Sequence, residues 1–344
     1  MTAVLVAGVP RSGTSWAGKV LGKTRGTAYV NEPDNENQAF AFRAKIGLGL
    51  FPVLEPGDDA PGYETLWDHA LGAAAPRGAL RNARARVSYD ILKLIRKKSR
   101  AELDAALRHT DPEVSRRVRI AAALSVPRGP EPPFDNVVVK SVHCALAVEW
   151  IARRWDPRVI VVFRDPLNTI ASWIKIGIPR DRRLDASAAV RERLLPRWDV
   201  ALPGPAATPL ERLAWQFGVL TCALQDAAKK NPSWTVITHE QLYSDARGVF
   251  PALCERVGLP WSEDSAAFLD ESNRPGTGYR TNRVVADLPQ SWRKVFGTDE
   301  ARAVAKMLER FPLEDPASLQ TELAPRSVRV ARRADRRGSA LPPQ

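Results

Sequence analysis

A short apolar segment at the start of the chain leads directly into a turn of glycine and hydroxyl side chains. Residues 3–8 are apolar or glycine throughout, which is typical of a strand buried on both faces of a parallel sheet. The turn Gly8–Ser15 reads GVPRSGTS, and apolar residues then recur at helical spacing from Trp16 to Leu21, before Gly22. A strand, a tight turn and a helix predict an α/β architecture whose first turn offers backbone N–H groups to an anion.

The same alternation continues along the chain. Further strands are predicted at 27–30, 136–140, 158–163 and 234–238, and helices at 145–155 and 167–174. Strands that alternate with helices favour a central parallel sheet of about five strands with helices on both faces, a three-layer fold. In such sheets ligands bind beyond the carboxyl ends of the strands.

The domain organisation follows from the spacing of these segments. We predict one domain over residues 1–324 of the 344-residue chain. Within it, residues 40–133 are expected to form a helical insertion that caps the substrate. Residues 325–344 are rich in arginine without an apolar period, and predict a basic disordered tail.

The formal net charge of +12 arises from two segments of the chain. Residues 77–119 contain thirteen Lys and Arg against five Asp and Glu, and residues 325–344 contain six Arg against one Asp. A basic nucleic-acid-binding protein is therefore one alternative function, but no segment resembles a recognition helix or an aromatic stacking sheet. We expect nucleic acid not to be the partner.

The sequence also bears on the compartment. No window of about 18 apolar residues is present, so no transmembrane segment is predicted. The apolar start lacks a basic leader, which argues against a signal peptide. Three cysteines, Cys144, Cys222 and Cys254, show no C-x-x-C spacing. These features lead us to expect a reduced, cytoplasmic location.

The first turn departs from the pattern of nucleotide-hydrolysing enzymes. Against G-x-x-x-x-G-K-[ST], both glycines are present but Thr14 occupies the lysine position. Arg11 is the only cation in the turn. A nucleotide or small-molecule kinase that uses ATP is therefore disfavoured, and remains an alternative.

Two motifs resemble those of the sulfotransferases that use 3′-phosphoadenosine 5′-phosphosulfate (PAPS). Pro10-Arg11-Ser12-Gly13-Thr14-Ser15-Trp16 is similar to their 5′-phosphosulfate loop, P-[KR]-[ST]-G-T-[ST]-W/L. Arg164 follows a predicted strand and precedes Ser172 by eight residues, the spacing of the family's 3′-phosphate site. Asp165 and Pro166 suit the start of the helix between them. The resemblance implies a P-loop-like fold and PAPS as co-substrate, bound by both motifs.

Two weaker matches extend the implied cofactor site. Thr238-His239-Glu240-Gln241-Leu242 resembles the family's [RK]-Y-E-D-L, with His239 at the position of an aromatic residue that contacts adenine in some members. Arg274-Pro275-Gly276 resembles the start of the family's last loop at the 3′-phosphate, which implies that Arg274 and Gly276 bind cofactor.

Sulfuryl transfer needs a base and cations that neutralise charge on the leaving phosphate. With cationic side chains around the group, no metal is required. Arg11 is one such cation, and Lys140, 24 residues before Arg164, matches the catalytic lysine of cytosolic members. Glu32, 21 residues after Arg11, matches the base of another branch. His143 is the alternative base, offset by one residue from the histidine of cytosolic members.

The acceptor is the least constrained part of the prediction. A hydroxyl or amine acceptor is expected, on a small molecule, a glycan or a lipid-linked compound. Trp67, Trp173, Trp198 and Trp215 are candidates for an apolar or sugar-stacking pocket. The oligomeric state is not predicted.

Overall fold

The computed structural model describes residues 1–73, 125–177, 184–272 and 291–323, together with Arg116, Ile120 and Ala123. Its strands are β1 (Thr2–Gly8), β2 (Thr27–Asn31), β3 (Asn136–Ser141), β4 (Arg158–Phe163) and β5 (Thr235–Thr238). Its α-helices are α1 (Thr14–Leu21), α2 (Ala39–Ala44), α3 (Pro61–Ala70), α4 (Val148–Trp155), α5 (Pro166–Lys175), α6 (Leu195–Trp198), α7 (Pro209–Lys230), α8 (His239–Ser244), α9 (Ala246–Val257), α10 (Glu263–Ser272) and α11 (Thr298–Leu308). Shorter helical turns lie at Leu184–Ala186, Val190–Leu194, Ser291–Lys294 and Pro316–Leu319.

All five strands form one parallel sheet in the order β2-β3-β1-β4-β5. The pairs Ala7–Ser141 and Gly8–Val162 show that the carboxyl ends of the three central strands are nearly level. The segments that follow the strands therefore meet along one edge of the sheet. This arrangement confirms the predicted parallel α/β sheet.

Alternate residues of the strands are buried in two separate clusters. Val4, Val6 and Val138 lie in a cluster with α1 and α9, whereas Leu5 and Val139 lie in a larger one with α3, α4 and α7. Because successive side chains of a strand point to opposite faces, the sheet is covered on both sides. This confirms the three layers.

The beginning of the predicted insertion belongs to the larger cluster. Phe40 of α2 and Tyr63 and Trp67 of α3 are buried there together with Val139 and Trp150. Residues 74–115, most of 116–124 and the tail 325–344 lie outside the described residues, so the capping role of 40–133 and the disordered tail remain predictions.

Two helix boundaries differ from those expected from the sequence. Helix α1 begins at Thr14, because Gly13 with φ 101° is its N-cap, and α4 begins at Val148, because residues 144–147 form a turn. Gly22, which follows α1, is not in a left-handed conformation, since its φ is −69°. It is required for close approach instead: a Cβ atom there would lie 2.7 Å from the Cβ of Tyr29.

Among the helices of the described residues, none combines the length and the apolar character needed to cross a bilayer.

Candidate active site

The loop between β1 and α1 (residues 9–13, the β1–α1 loop) is sharply bent. Arg11 has φ 71° and Gly13 has φ 101°, and the N–H of Ser12 donates to the carbonyl of Val9. Helix α1 starts at Thr14 without a side-chain cap. The first N–H groups of a helix have no acceptor within the helix, and they carry its positive partial charge. The loop and helix therefore present an anion-binding site at the carboxyl edge of the sheet.

Arg11, Arg164 and Ser172 come together beside this loop. Nε of Arg11 donates to Oγ of Ser172 at 2.9 Å, and Nη1 of Arg164 donates to the carbonyl of Arg11 at 2.9 Å. Asp165 caps α5 by accepting from the N–H of Asn168 at 2.7 Å, as predicted, and this sets the helix that carries Ser172. The two motifs, 161 residues apart at Arg11 and Ser172, thus form one cluster.

The cluster is electropositive. Burial and the neighbouring Arg11 lower the pKa of Arg164, and burial together with Arg164 and Arg11 holds the pKa of His239 well below its ordinary value. Among the described residues, three buried polar atoms around the β1–α1 loop have no hydrogen-bond partner: Ser12 Oγ, Arg164 Nε and His239 Nδ1. A ligand with several acceptor oxygens fits this environment, because buried polar groups are normally satisfied.

His239 and Trp16 line the α1 side of the loop. A Cβ atom on Gly13 would lie 2.4 Å from Cδ2 of His239, so glycine is needed for the ring to pack there. Trp16 meets the His239 ring edge-on at 6.3 Å, and its Nε1 donates to Ser272 Oγ at 2.8 Å. His239 is therefore close to the start of α1, and Trp16 anchors α1 to α10.

The remaining residues of the loop motif have structural contacts. The carbonyl of Pro10 accepts from Nε1 of Trp173 at 2.6 Å. Thr14 is buried, and Ser15 is half-buried. Arg274 and Gly276 lie outside the described residues, so their assignment to cofactor remains a prediction.

Glu32 and Lys140 form an ion pair at the other side of the loop. Nζ of Lys140 lies 2.5 Å from Oε1 of Glu32, with exposed side-chain fractions of 3% and 19%. Lys140 also packs beside α1, since a Cβ atom on Gly18 would lie 3.0 Å from its Cβ. Burial is the largest single effect and would raise the pKa of Glu32, but the surrounding groups, Lys140 first among them, together outweigh it and lower that pKa to about 2. The carboxylate is therefore ionised.

The backbone of Glu32 is in the left-handed region, with φ 44°. Its N–H donates to the carbonyl of Lys140 at 2.6 Å, and its own carbonyl accepts from Gln38 Nε2 at 2.7 Å. Asn35 Nδ2 donates to Oε2 of Glu32 at 2.8 Å. A non-glycine residue in this conformation is strained, and such strain is found most often at functional sites.

Arg11 and Lys140, which are both expected at the leaving phosphate, have different partners in the structure. Lys140 contacts Glu32, whereas the side chain of Arg11 is directed to Ser172. Among the groups that lower the pKa of Glu32, Lys140 acts most strongly. Arg11 therefore belongs with Arg164 and Ser172, to which its carbonyl and its side chain are hydrogen-bonded.

His143 lies beyond the end of β3, on the side of the larger core cluster. Its ring packs on Phe51 with centroids 5.8 Å apart, and its Nδ1 is 3.8 Å from Oε2 of Glu36. Burial lowers the pKa of His143, although Glu36 acts in the opposite direction. His143 is therefore a buried, neutral side chain whose described contacts are with the core and with Glu36.

Asn168 and Glu240 form hydrogen bonds around the arginine cluster, and neither is predicted above as a site residue. Oδ1 of Asn168 accepts from Ser291 Oγ at 2.9 Å and from the N–H of Trp292 at 3.1 Å, which ties α5 to the turn at 291–294. Oε1 of Glu240 accepts from the N–H of Asp165 at 3.3 Å. A polar residue on the buried face of a predicted helix, and an acidic residue just after a strand, were the available signals.

The tryptophans expected around an acceptor are mostly core residues. Trp67, Trp173 and Trp215 are at most 1% exposed and lie in the larger cluster. Trp198 is partly buried, and its Nε1 donates to Asp226 at 2.6 Å. The first three are therefore packed in the core, and Trp215 also borders a small cavity with Leu184 and Arg212.

The described residues also bear on metal binding. No group of three or more His, Cys, Asp or Glu side chains in this part of the chain is arranged to hold a metal ion.

The fold and this edge define an α/β protein with an electropositive anion site between an arginine cluster and a Glu–Lys pair. No family model matches the chain, and no curated protein matches it. The chain is similar to solved structures named as sulfotransferases. With mouse sulfotransferase SULT7A1 complexed with PAP it shares 11% identity and a TM-score of 0.40, over 92% of this chain and 87% of that one.

Two further solved structures are similar to the chain. Sulfotransferase STF9 from Mycobacterium avium shares 15% identity with a TM-score of 0.38, over 91% of this chain and 77% of that one. Retinol dehydratase in complex with androsterone and inactive cofactor PAP shares 16% identity with a TM-score of 0.37, over 92% and 83%.

Proposed function

We propose that this protein is a PAPS-dependent sulfotransferase that transfers a sulfuryl group to a hydroxyl or amine acceptor. The observation that carries the proposal is the composition of the sheet edge. An arginine cluster with unpartnered buried polar atoms lies on one side of the β1–α1 loop, and an ionised carboxylate paired with a lysine lies on the other. The first suits the two phosphate groups of PAPS, and the second suits the reacting end.

The residues present fit a bisphosphorylated nucleotide. The first-turn N–H groups of α1 and Ser12 would hold the 5′-phosphate, and Arg11, Arg164 and Ser172 would hold the 3′-phosphate. Guanidinium groups match the geometry of a phosphate dianion and form charge-assisted hydrogen bonds. His239, packed against Gly13, is the side chain placed to meet the nucleotide beside α1.

PAPS supplies an activated sulfuryl group whose S–O bond to the 5′-phosphate breaks as a new bond forms from sulfur to the hydroxyl oxygen or amine nitrogen of the acceptor. Lys140 turns from Glu32 to the phosphate oxygen that carries the developing charge. Glu32 then takes the acceptor's proton, and its basicity rises because its cationic partner has moved. The ion pair thus keeps the base ionised before the co-substrate binds. Metal-independent catalysis follows from this use of cationic side chains.

Only the chemical class of the acceptor is proposed: a small molecule, a glycan or a lipid-linked compound with a hydroxyl or amine group. We place the protein in the cytoplasm, since Cys144, Cys222 and Cys254 are buried free thiols, as expected of a reducing compartment. An ATP-dependent kinase is the competing function. Thr14 in place of the phosphate-binding lysine argues against it.

The proposed function is tested by transfer from ³⁵S-labelled PAPS to a panel of phenols, sugars and lipid-linked glycans, with water as the reference acceptor. We expect labelled product, formation that persists in EDTA, and its loss in Glu32→Gln. ATP labelled at the γ-phosphate is the matched donor. Transfer from ATP but not from PAPS would show that the kinase alternative is correct.

A further inference from the structure

A carboxylate with no exposed surface lies two residues after Glu32. Oδ1 of Asp34 accepts from Ser141 Oγ at 2.5 Å, and Oδ2 accepts from the hydroxyl of Tyr63 at 2.9 Å. The carbonyl of Asp34 accepts from Nζ of Lys45 at 3.1 Å, and Lys45 is also fully buried. Asp34 is therefore bonded to β3, to α3 and to the end of α2.

The desolvation cost of burying Asp34 indicates that this residue has a role beyond core packing. Taking a carboxylate out of water costs several kcal/mol even after relaxation, and well-packed apolar residues often stabilise a core better than buried charges do. The hydroxyl donors of Ser141 and Tyr63 offset that cost only in one geometry. The segment after β2 is consequently held in one position relative to β3.

The Glu32–Lys140 ion pair requires the segment after β2 to be in this position relative to β3. Ser141 follows Lys140 directly, so the Asp34–Ser141 bond lies beside the ion pair and joins the same two strand ends. Lys140 packs against α1, whereas Ser141, the next residue of the strand, points to the opposite face. Glu32, between the two links, is in a strained conformation that persists only where its surroundings fix it.

We propose that Asp34 is a positioning residue: with Ser141 and Tyr63 it holds Glu32 in its left-handed conformation, with the carboxylate at Lys140. This inference rests on the proposed function, because it assigns Asp34 a purpose in presenting the base. It also gives α3 a part in the reaction. Tyr63 belongs to the segment expected to cap the substrate, so a displacement of α3 reaches Asp34 through one hydrogen bond, and Asp34 is two residues from Glu32 along the chain.

The test compares Asp34→Asn and Tyr63→Phe with Thr221→Val. Thr221 of α7 is buried, and its hydroxyl has no partner among the described residues, so the control also removes a buried hydroxyl. Turnover is measured with the acceptor most active in the panel, or as sulfate release from PAPS to water. Affinity is measured by titration with adenosine 3′,5′-bisphosphate (PAP). We expect turnover to fall about tenfold or more in Asp34→Asn and several-fold in Tyr63→Phe, with PAP affinity unchanged.

The pH profile separates positioning from a general loss of stability. Before PAPS binds, the pKa of Glu32 in the wild type is about 2, so kcat/KM for PAPS should show no acid limb from Glu32 between pH 4 and 6. Loosening its contact with Lys140 raises that pKa toward 4.5, and an acid limb should enter this range in both variants. The Thr221→Val profile should match the wild type.

Each possible result either supports the inference or overturns it. Reduced turnover, unchanged PAP affinity and a new acid limb support the inference. It is overturned if the variants keep wild-type turnover, if PAP affinity falls as much as turnover does, or if turnover falls without a new limb. A wild-type protein that neither binds PAP nor releases sulfate refutes the proposed function itself, and the inference with it.

Discussion

Glu32 is the side chain on which the proposed chemistry depends most. Glu32→Gln keeps its shape and removes its basicity, so we expect kcat to fall by about 10² to 10⁴ while PAP affinity stays nearly unchanged. Glu64→Gln, an exposed change on α3, is the control. His143→Gln should cost much less, because that ring lies against Phe51. Loss of activity in His143→Gln with activity retained in Glu32→Gln would transfer the role of base to the histidine.

The same carboxylate should contribute to stability in a pH-dependent way. Its pKa is lowered from 4.5 to about 2 on folding, so its contribution is fully present above pH 4.5 and is lost as the pH falls through 2. The contribution at neutral pH is of the order of 3 kcal/mol. Denaturant unfolding of the wild type and Glu32→Gln should give free energies that differ less at pH 3 than at pH 6, by about half of that amount. A difference independent of pH would contradict the ion pair.

Arg164 is expected to act in binding rather than in turnover. Arg164→Ala removes a buried guanidinium that faces the proposed 3′-phosphate, and charge-assisted hydrogen bonds are worth roughly 1.5–3 kcal/mol each. Calorimetric titration should therefore show PAP affinity reduced by roughly 10- to 100-fold. Arg158→Ala, an exposed change at the other end of β4, is the control and should leave affinity unchanged. Equal affinities in the two variants would remove Arg164 from the site.

The residues that follow predicted strands could be selected from the sequence as site candidates, but the contacts that they make could not be predicted. Glu32, Lys140, Arg164 and His239 each come at or just after a strand end, and the structure brings them to one edge. The Asp34–Tyr63 bond joins residues 29 apart, and the Asp34–Ser141 bond joins residues 107 apart. No local pattern encodes such pairs, because they depend on how α3 packs on the sheet.

Among the secondary-structure elements, α1 contributes its N-terminus to the anion site, and the conformation of Gly13 positions that N-terminus. Gly13→Ala places a methyl group at φ 101° and within 2.4 Å of the His239 ring, so the loop or the ring must move. We expect PAP affinity to fall about tenfold or more, since the first-turn N–H groups are displaced. Gly57→Ala is the matched change, because a Cβ atom there meets nothing within 4 Å. Wild-type PAP affinity in Gly13→Ala would show that α1 does not bind the ligand.

Element types were more predictable than element ends. The central strands β1, β3 and β4 contain runs of apolar residues, as burial on both faces of a parallel sheet requires, and the predicted bounds of all five strands lie within one residue of the observed ones. The start of α1 was set two residues late. Gly13 ends the loop through its backbone angles, and apolar periodicity does not report a cap.

At the scale of the whole molecule, the parallel sheet joins two parts of one site. The arginine cluster depends on β1, β4 and α5, and the Glu32–Lys140 pair depends on β2 and β3. With β1 at the centre of the order β2-β3-β1-β4-β5, its loop lies between the two parts. A nucleotide whose ribose carries a 3′-phosphate and a 5′-phosphosulfate is the kind of ligand proposed for this site, with its phosphates at the arginine cluster and its sulfuryl end at the Glu32–Lys140 pair.

The most direct measurement is calorimetric titration of the wild-type protein with PAP and with ADP, each in EDTA. PAP carries the 3′-phosphate that Arg11, Arg164 and Ser172 are proposed to hold, and ADP lacks it. We predict that PAP binds at least about tenfold more tightly than ADP, and that most of this difference disappears in Arg164→Ala. ADP binding as tightly as PAP, or more tightly, would contradict the assignment of a PAPS-dependent sulfotransferase.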